Sequence, residues 1–312
     1  MNIKDFKIVY MGTPDISAYV LEGLINAGFN IVLVVTKEDK LVGRKAILTP
    51  SPCKEVALKY GIDVFTPKRI RDDYETIAKY DPDLILTFSY GQIIPEALIN
   101  IPKFKAINLH GSLLPLLRGA APVQYALING FKETGVTLME MTKGMDEGRM
   151  YDKEVVSIDD DDNNSSLFIK IRDASLKLAI RSVPMYLNGE LESVEQDNNL
   201  VTYASMIKPE QEKLSLEMTK EELHNYIRGL SENPGAYFYL EGKKFKIYKS
   251  IIFSNDIIGE IGQIVEASKK GLLLQTKNGL LSLVDIQLEG KKRMDYKSFI
   301  NGFKDILNKH LD

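Results

Sequence analysis

At 312 residues, 44% hydrophobic and 27% charged with a net charge of −3, the chain has an ordinary globular make-up and room for two domains. No apolar run approaches the ~20 residues that span a bilayer, Met1-Asn2-Ile3-Lys4-Asp5-Phe6 carries no signal-peptide pattern, and the single Cys53 excludes an intrachain disulfide, so a cytoplasmic location is expected. The near-neutral charge excludes a global basic field for nucleic acid and leaves local patches, Lys243-Lys244 and Lys291-Lys292-Arg293.

The first part of the chain alternates strand and helix. Residues 7–11 form a short apolar run ending at Gly12, and residues 15–27 have helical spacing with Val20, Leu24 and Ala27 on one side. Residues 31–35 and 83–88 are further strand-like runs, a pattern that predicts parallel βαβ units in an α/β sheet. Gly12-Thr13-Pro14 is not a GxGxxG turn, which argues against a nicotinamide site. In such a sheet, ligands sit beyond the carboxyl ends of the strands. The loop Phe88-Ser89-Tyr90-Gly91-Gln92 and the end of the next strand at His110 would border that crevice. Residues 154–158 read as another strand, and Asp159-Asp160-Asp161-Asp162 as a solvated turn that suits a helix N-terminus. The helix that follows carries Leu167, Ile171, Ala174 and Leu178 as its buried stripe and is expected to reach about Pro184.

Residues 190–208 are polar and read as a linker with a short ordered patch at 200–204, which divides a domain over 1–189 from one over 209–312. The second part begins with a helix bearing Leu223, Tyr226, Ile227 and Leu230. Five strand-like runs follow, 236–240, 245–252, 262–267, 272–275 and 280–286, with hairpin turns at 241–244 and 277–279. Short strands in this number predict a small OB-like β-barrel.

The most informative segment is Ala106-Ile107-Asn108-Leu109-His110-Gly111. On a strand, Asn108 and His110 share a face and Leu109 points into the core. An amide donor and a titratable ring, with a carboxylate in the glycine-bounded loop Gly144-Met145-Asp146-Glu147-Gly148, suit a reaction that develops an oxyanion and moves a proton. A strand end with two polar residues meeting solvent, and a plain Asp turn, would look the same. Ser112 lacks a Gly-x-Ser-x-Gly elbow and reads as a local hydrogen-bonding residue. With only His110, His224 and His310 in the chain, no clustered metal site is expected.

Asn108 to Pro115 followed by Arg118-Gly119-Ala120-Ala121-Pro122 resembles the signature of the formyltetrahydrofolate-dependent formyltransferases. Gly12-Thr13-Pro14-Asp15, Gly43-Arg44, Pro50-Ser51-Pro52, Gly135-Val136-Thr137 and Val201-Thr202-Tyr203-Ala204 match the same family in the same order. The resemblance implies a Rossmann-like formyltransferase domain with a parallel-rich sheet, followed by the barrel. It implies 10-formyltetrahydrofolate as donor, no metal, the free amino group of methionyl initiator tRNA as acceptor, and a monomer acting in translation initiation. It implies catalysis by Asn108, His110 and Asp146, with Asn108 and His110 on the oxyanion and His110 and Asp146 on the proton. It places folate against Ser112, Leu113, Leu114, Pro115, Ser89, Tyr90 and Gly91. The tRNA loop would span 37–52, with Lys40, Arg44 and Lys45, although Lys45-Ala46-Ile47-Leu48 stands where the family has a second glycine. Other acceptors on the same catalytic domain, such as a sugar amine, and a non-catalytic RNA-binding role for the barrel are the rival readings.

Overall fold

The computed structural model describes residues 2–43 and 46–312. The chain resolves into two units. The first comprises residues 1–119, 134–157 and 168–204; the second comprises 120–133, 158–167 and 205–312.

In the first unit, β1 (Ile8–Gly12) is followed by α1 (Asp15–Asn26), β2 (Ile31–Val35), and a small hairpin of β3 (Lys40–Val42) and β4 (Ile47–Thr49). Next come α2 (Pro52–Lys59), β5 (Asp63–Phe65), the short helices α3 (Ile70–Asp73) and α4 (Glu75–Ala78), and β6 (Leu84–Phe88). The helix α5 (Glu96–Ile99) leads to β7 (Ala106–His110). The chain then forms α6 (Pro122–Ile128), which belongs to the second unit, and continues through β8 (Glu133–Glu140), β9 (Met150–Ser157) and α7 (Asn164–Leu187).

Among the described residues the main sheet has seven strands in the order β5-β2-β1-β6-β7-β8-β9. The pairs from β5 to β7 are parallel, and β7–β8 is antiparallel. Continuous burial of β1 and β6 explains why both read as unbroken apolar runs rather than as alternating ones. Two expectations shift at helix ends. Ala27 lies outside α1 and is exposed, because the chain turns at Gly28 in a left-handed conformation. The helix α7 continues one turn past Pro184, with Val183 and Leu187 buried on either side of it.

In the second unit, α8 (Lys220–Leu230) opens with a capping box in which Thr219 and Glu222 satisfy each other's backbone N–H. The strands β10 (Ala236–Leu240), β11 (Lys243–Ser254), β12 (Ile264–Ser268), β13 (Gly271–Thr276) and β14 (Gly279–Leu288) pair in the order β10-β11-β14-β13-β12. The short β15 (Met294–Asp295), which pairs with β14, and α9 (Tyr296–Gly302) complete the unit. The last residues link the two sheet edges: Leu311 bridges to Leu240 on β10, and His310 to Gln263 beside β12. The inner face is a core of Leu223, Ile227, Phe238, Phe245, Ile247, Leu274 and Leu283 among others. Helix α6 packs against α8, where a Cβ on Gly229 would lie 3.1 Å from the Gln124 carbonyl oxygen. The Arg228 guanidinium donates to the carbonyls of Asp159 and Asp162. These contacts draw 120–133 and 158–167 into the second unit, whereas chain order alone suggests one division at 190–208. The acidic turn is partly self-capped, with Asp162 accepting from the Asp159 N–H and the Ser166 hydroxyl.

Candidate active site

The strand β7 ends with Asn108 and His110, and its parallel neighbour β6 sets Thr87 directly opposite Asn108. The Thr87 hydroxyl donates to Asn108 Oδ1 at 2.6 Å. That bond fixes the amide flip: with the oxygen engaged, the NH2 group is the part of the half-buried side chain left to donate to a ligand. Leu109 is buried, as period-2 alternation requires. Thr87 carries no signal in the sequence, since one threonine inside an apolar strand reads as filler.

His110 is 5% exposed and has a partner at each nitrogen. Nε2 lies 2.9 Å from the Leu117 carbonyl, and Nδ1 lies 3.5 Å from Asp146 Oδ2. A carbonyl only accepts, so Nε2 carries a hydrogen and Nδ1 is the nitrogen turned to the carboxylate. The same Asp146 oxygen accepts the Gly119 N–H at 2.9 Å, which holds the carboxylate in place. The structure thus joins His110 to Asp146 across a long stretch of chain. Asn108 stands on the same strand end, two residues away.

The segment after His110 is folded over by hydrogen bonds. Ser112 is fully buried and its hydroxyl donates to the Leu116 carbonyl at 2.6 Å. Thr137 on β8 donates to the Ser112 carbonyl at 2.7 Å and accepts the Leu114 N–H at 3.1 Å. Lys153 on β9 donates to the Leu114 carbonyl. Leu114 is buried with Met139 and Met150, while Leu113 and Pro115 are half-buried. In the neighbouring loop, Ser89 and Gly91 are exposed and both have positive φ. Tyr90 is instead buried in the core with Val9, Met11 and Leu33; its hydroxyl has no hydrogen-bond partner, and burial raises its pKa. Its carbonyl accepts from Thr13 at 2.9 Å. What residues 89–91 offer at the surface is therefore backbone and the Ser89 side chain rather than the tyrosine ring.

In the 37–52 segment, Lys40 is exposed on β3, and Leu41, Val42, Ile47 and Leu48 are exposed apolar residues of the hairpin. Arg44 and Lys45 lie outside the described residues. In the barrel patch, Lys291, Lys292 and Lys243 are exposed, but Arg293 is tied to Glu232 and Asp285, which raise its pKa. A cavity of about 760 Å³ lies within the second unit, walled by residues that include Lys132, His224, Arg228 and Ser250. Lys132 is paired with Asp160, and His224 Nδ1 meets the Ser250 hydroxyl. Among the described residues, no group of three or more His, Cys, Asp or Glu is placed to hold a metal, and no helix is long and apolar enough to cross a membrane.

Cys53 on α2 is fully buried, and burial pushes its thiol up to about 12. The native protein is expected to leave a disulfide reagent unreacted at pH 8 over minutes and to titrate one thiol in denaturant. Prompt labelling of the native protein would show that the site is open.

A parallel-rich sheet with an amide, an imidazole and a carboxylate gathered at the end of β7 offers a donor and a proton-handling pair of the kind acyl transfer can use, and comparisons with known proteins show the family. A formyl transferase family model matches residues 6–183, and a formyl transferase C-terminal domain model matches residues 206–304. The methionyl-tRNA formyltransferase of Bacillus subtilis is 43% identical over 299 residues, covering 95% of this chain and 94% of its own length. That of Bacillus cytotoxicus is 42% identical over 303 residues, covering 96% of each. Among solved structures, an N-formyltransferase from Helicobacter canadensis in complex with folinic acid and dTDP-3-aminofucose shares the fold at a TM-score of 0.70 and 21% identity, covering 89% of this chain and 98% of that one. HypX from Aquifex aeolicus in complex with tetrahydrofolic acid has a TM-score of 0.66 and 13% identity, covering 97% of this chain and 48% of that one. The chain belongs to the methionyl-tRNA formyltransferase family.

Proposed function

We propose that this protein transfers the formyl group of 10-formyltetrahydrofolate to the amino group of methionyl initiator tRNA. The observation that carries the mechanism is the His110–Asp146 pair beside Asn108 at the carboxyl end of β7. The amine nitrogen bonds to the formyl carbon, the bond from that carbon to folate N10 breaks, the amine gives up a proton and N10 gains one. Negative charge builds on the formyl oxygen during attack. Asn108, its oxygen held by Thr87, supplies the N–H for that charge. Both nitrogens of His110 have protein partners, so the ring works chiefly with Asp146 in taking up and returning the proton, and reaches the oxyanion only by exchanging one of those partners. The donor is already an activated formyl compound, so no covalent enzyme intermediate is required.

Folate is assigned to Leu113, Pro115, the backbone of Ser112 and Leu114, and the surface of Ser89, Tyr90 and Gly91. The acceptor end of the tRNA is assigned to the 37–52 hairpin through Lys40, Arg44 and Lys45, with the barrel of residues 209–312 adding surface for the tRNA body. Residues 1–189 carry the chemistry in this reading, and the protein works as a cytoplasmic monomer. Full-length matching to relatives of this family supports the acceptor.

The test is formyl transfer from 10-formyltetrahydrofolate to methionyl initiator tRNA, with uncharged tRNA and free methionine as controls. Product with the charged tRNA alone is expected. Transfer to an amino-sugar nucleotide and none to the aminoacyl-tRNA would overturn the acceptor assignment while keeping the chemistry.

A further inference from the structure

The two residues that face the ring nitrogens of His110 both lie in the left-handed region of backbone space: Leu117 at φ 59° and Asp146 at φ 49°. A leucine rarely adopts that conformation, and such strain persists only where the surroundings over-determine it. The constraint comes from the polar segment 196–204. The Leu117 N–H donates to the Thr202 hydroxyl at 2.9 Å, so the residue that offers its carbonyl to His110 is held through its preceding peptide, and the peptide that carries that carbonyl is held through the Arg118 N–H. The Arg118 N–H donates to the Thr202 carbonyl and the Ala204 N–H to the Arg118 carbonyl, a short parallel bridge that runs over the loop. Gln196, 9% exposed, donates through Nε2 to the carbonyls of Asp146 and Gly148, each at 2.8 Å, and its own oxygen accepts from Arg118 Nε at 3.0 Å. Gly119, whose N–H holds Asp146, sits at φ 120°, and a Cβ there would lie 2.6 Å from the Ala204 carbonyl oxygen.

We propose that residues 196–204 form a strap that positions the His110–Asp146 pair, with Gln196 and Thr202 as its positioning residues. Thr202 sets the carbonyl that holds the ring hydrogen on Nε2; Gln196 sets the loop that brings the carboxylate to Nδ1. The strap follows directly from hydrogen bonds on both sides of the pair, and its catalytic consequence rests on the function proposed above.

The test combines kinetics with nitrogen-15 spectra of the histidine rings, which are few enough to assign by substitution. Thr202→Val keeps the shape and removes the hydroxyl; Thr202→Ser restores it; Gln196→Met removes the amide at similar volume. Thr202→Val and Gln196→Met are expected to lower kcat by roughly tenfold to a hundredfold, the scale set by misplacing a reacting group. The KM for 10-formyltetrahydrofolate should stay within about twofold, since the strap leaves ground-state folate contacts intact. Both variants should shift the His110 ring-nitrogen signals, and Thr202→Ser should recover both the rate and the spectrum. Shifted His110 signals with an unchanged kcat would uphold the hydrogen-bonded strap and overturn its catalytic consequence. Unchanged signals in both folded variants would overturn the strap, whatever the rate. Should one variant fail to fold, the other decides: shifted His110 signals with a lowered kcat uphold the strap and an unshifted spectrum overturns it, while a Thr202→Ser protein whose spectrum departs from the native one would overturn the role given to the hydroxyl.

Discussion

An Asn108→Ala variant is expected to lose roughly two to three orders of magnitude in kcat, the usual consequence of deleting one donor to a developing oxyanion. The KM for 10-formyltetrahydrofolate should move little, because the formyl oxygen acquires its charge only as the amine attacks. A half-step comes from Thr87→Val. That change leaves Asn108 in place and removes the hydroxyl that engages its Oδ1 at 2.6 Å. Losing one such bond frees the amide to turn and should cost about tenfold in kcat. In the double variant Asn108→Ala with Thr87→Val, the threonine change should add almost nothing, since its effect runs through the amide. Steady-state kinetics of the four proteins decide the matter. Full additivity of the two losses would mean that Thr87 acts on something other than Asn108.

Gly148→Ala should be the most damaging of the small substitutions. Its Cβ would lie 1.9 Å from the Glu140 carbonyl oxygen, and both residues are backbone neighbours in the pairing that leads β8 into β9. The Glu140 N–H donates to the Arg149 carbonyl at 2.8 Å, so the chain cannot retreat without giving up that bond. Overpacking of this kind costs about 1–3 kcal/mol, occasionally more. In a domain of this size, each kcal/mol lowers Tm by roughly 2–4 °C. Gly148 also gives its carbonyl to Gln196, so the Asp146 loop should move with it and activity should fall beyond the loss of folded protein. Gly302→Ala, at the end of α9 with no heavy atom within 4 Å of its Cβ, is the matched control and should leave Tm unchanged or slightly raised. A Gly148→Ala protein with native Tm and native rate would show that the loop yields freely.

The parts of the fold that were legible in the sequence share one property: their signal is local. The apolar runs of β1 and β6, the buried stripe Leu167, Ile171, Ala174 and Leu178, and the hairpin turns at 241–244 and 277–279 each follow from periodicity or turn chemistry within a few residues. The alternation that buries Leu109 and frees Asn108 is of the same kind. Tyr90 shows the limit of that reasoning. An aromatic residue in a loop at the carboxyl end of a strand can line a flat heterocycle pocket or belong to an ordinary loop, and local pattern does not choose; here the ring turns into the core and leaves backbone at the surface. Arg293 is similar: a basic run reads as a free patch until Glu232 and Asp285 are seen to occupy it.

The sequence by itself determined the α/β-then-barrel order, the strand end that carries Asn108 and His110, and a run of motifs matching one family of formyl-transferring enzymes. Only the tertiary structure decided that Asp146 meets Nδ1 of His110, that Thr87 orients Asn108, and that the segment read as a linker supplies Gln196 and Thr202 to the site. The reason is physical. Periodicity reports which face of an element is apolar, a property of neighbours along the chain. A hydrogen bond between polar groups far apart in sequence leaves no periodic trace, because it constrains single residues whose type is common in any loop. The same holds for the division into units, where segments 120–133 and 158–167 join the barrel by packing and by backbone carbonyls given to Arg228 rather than by any change in composition.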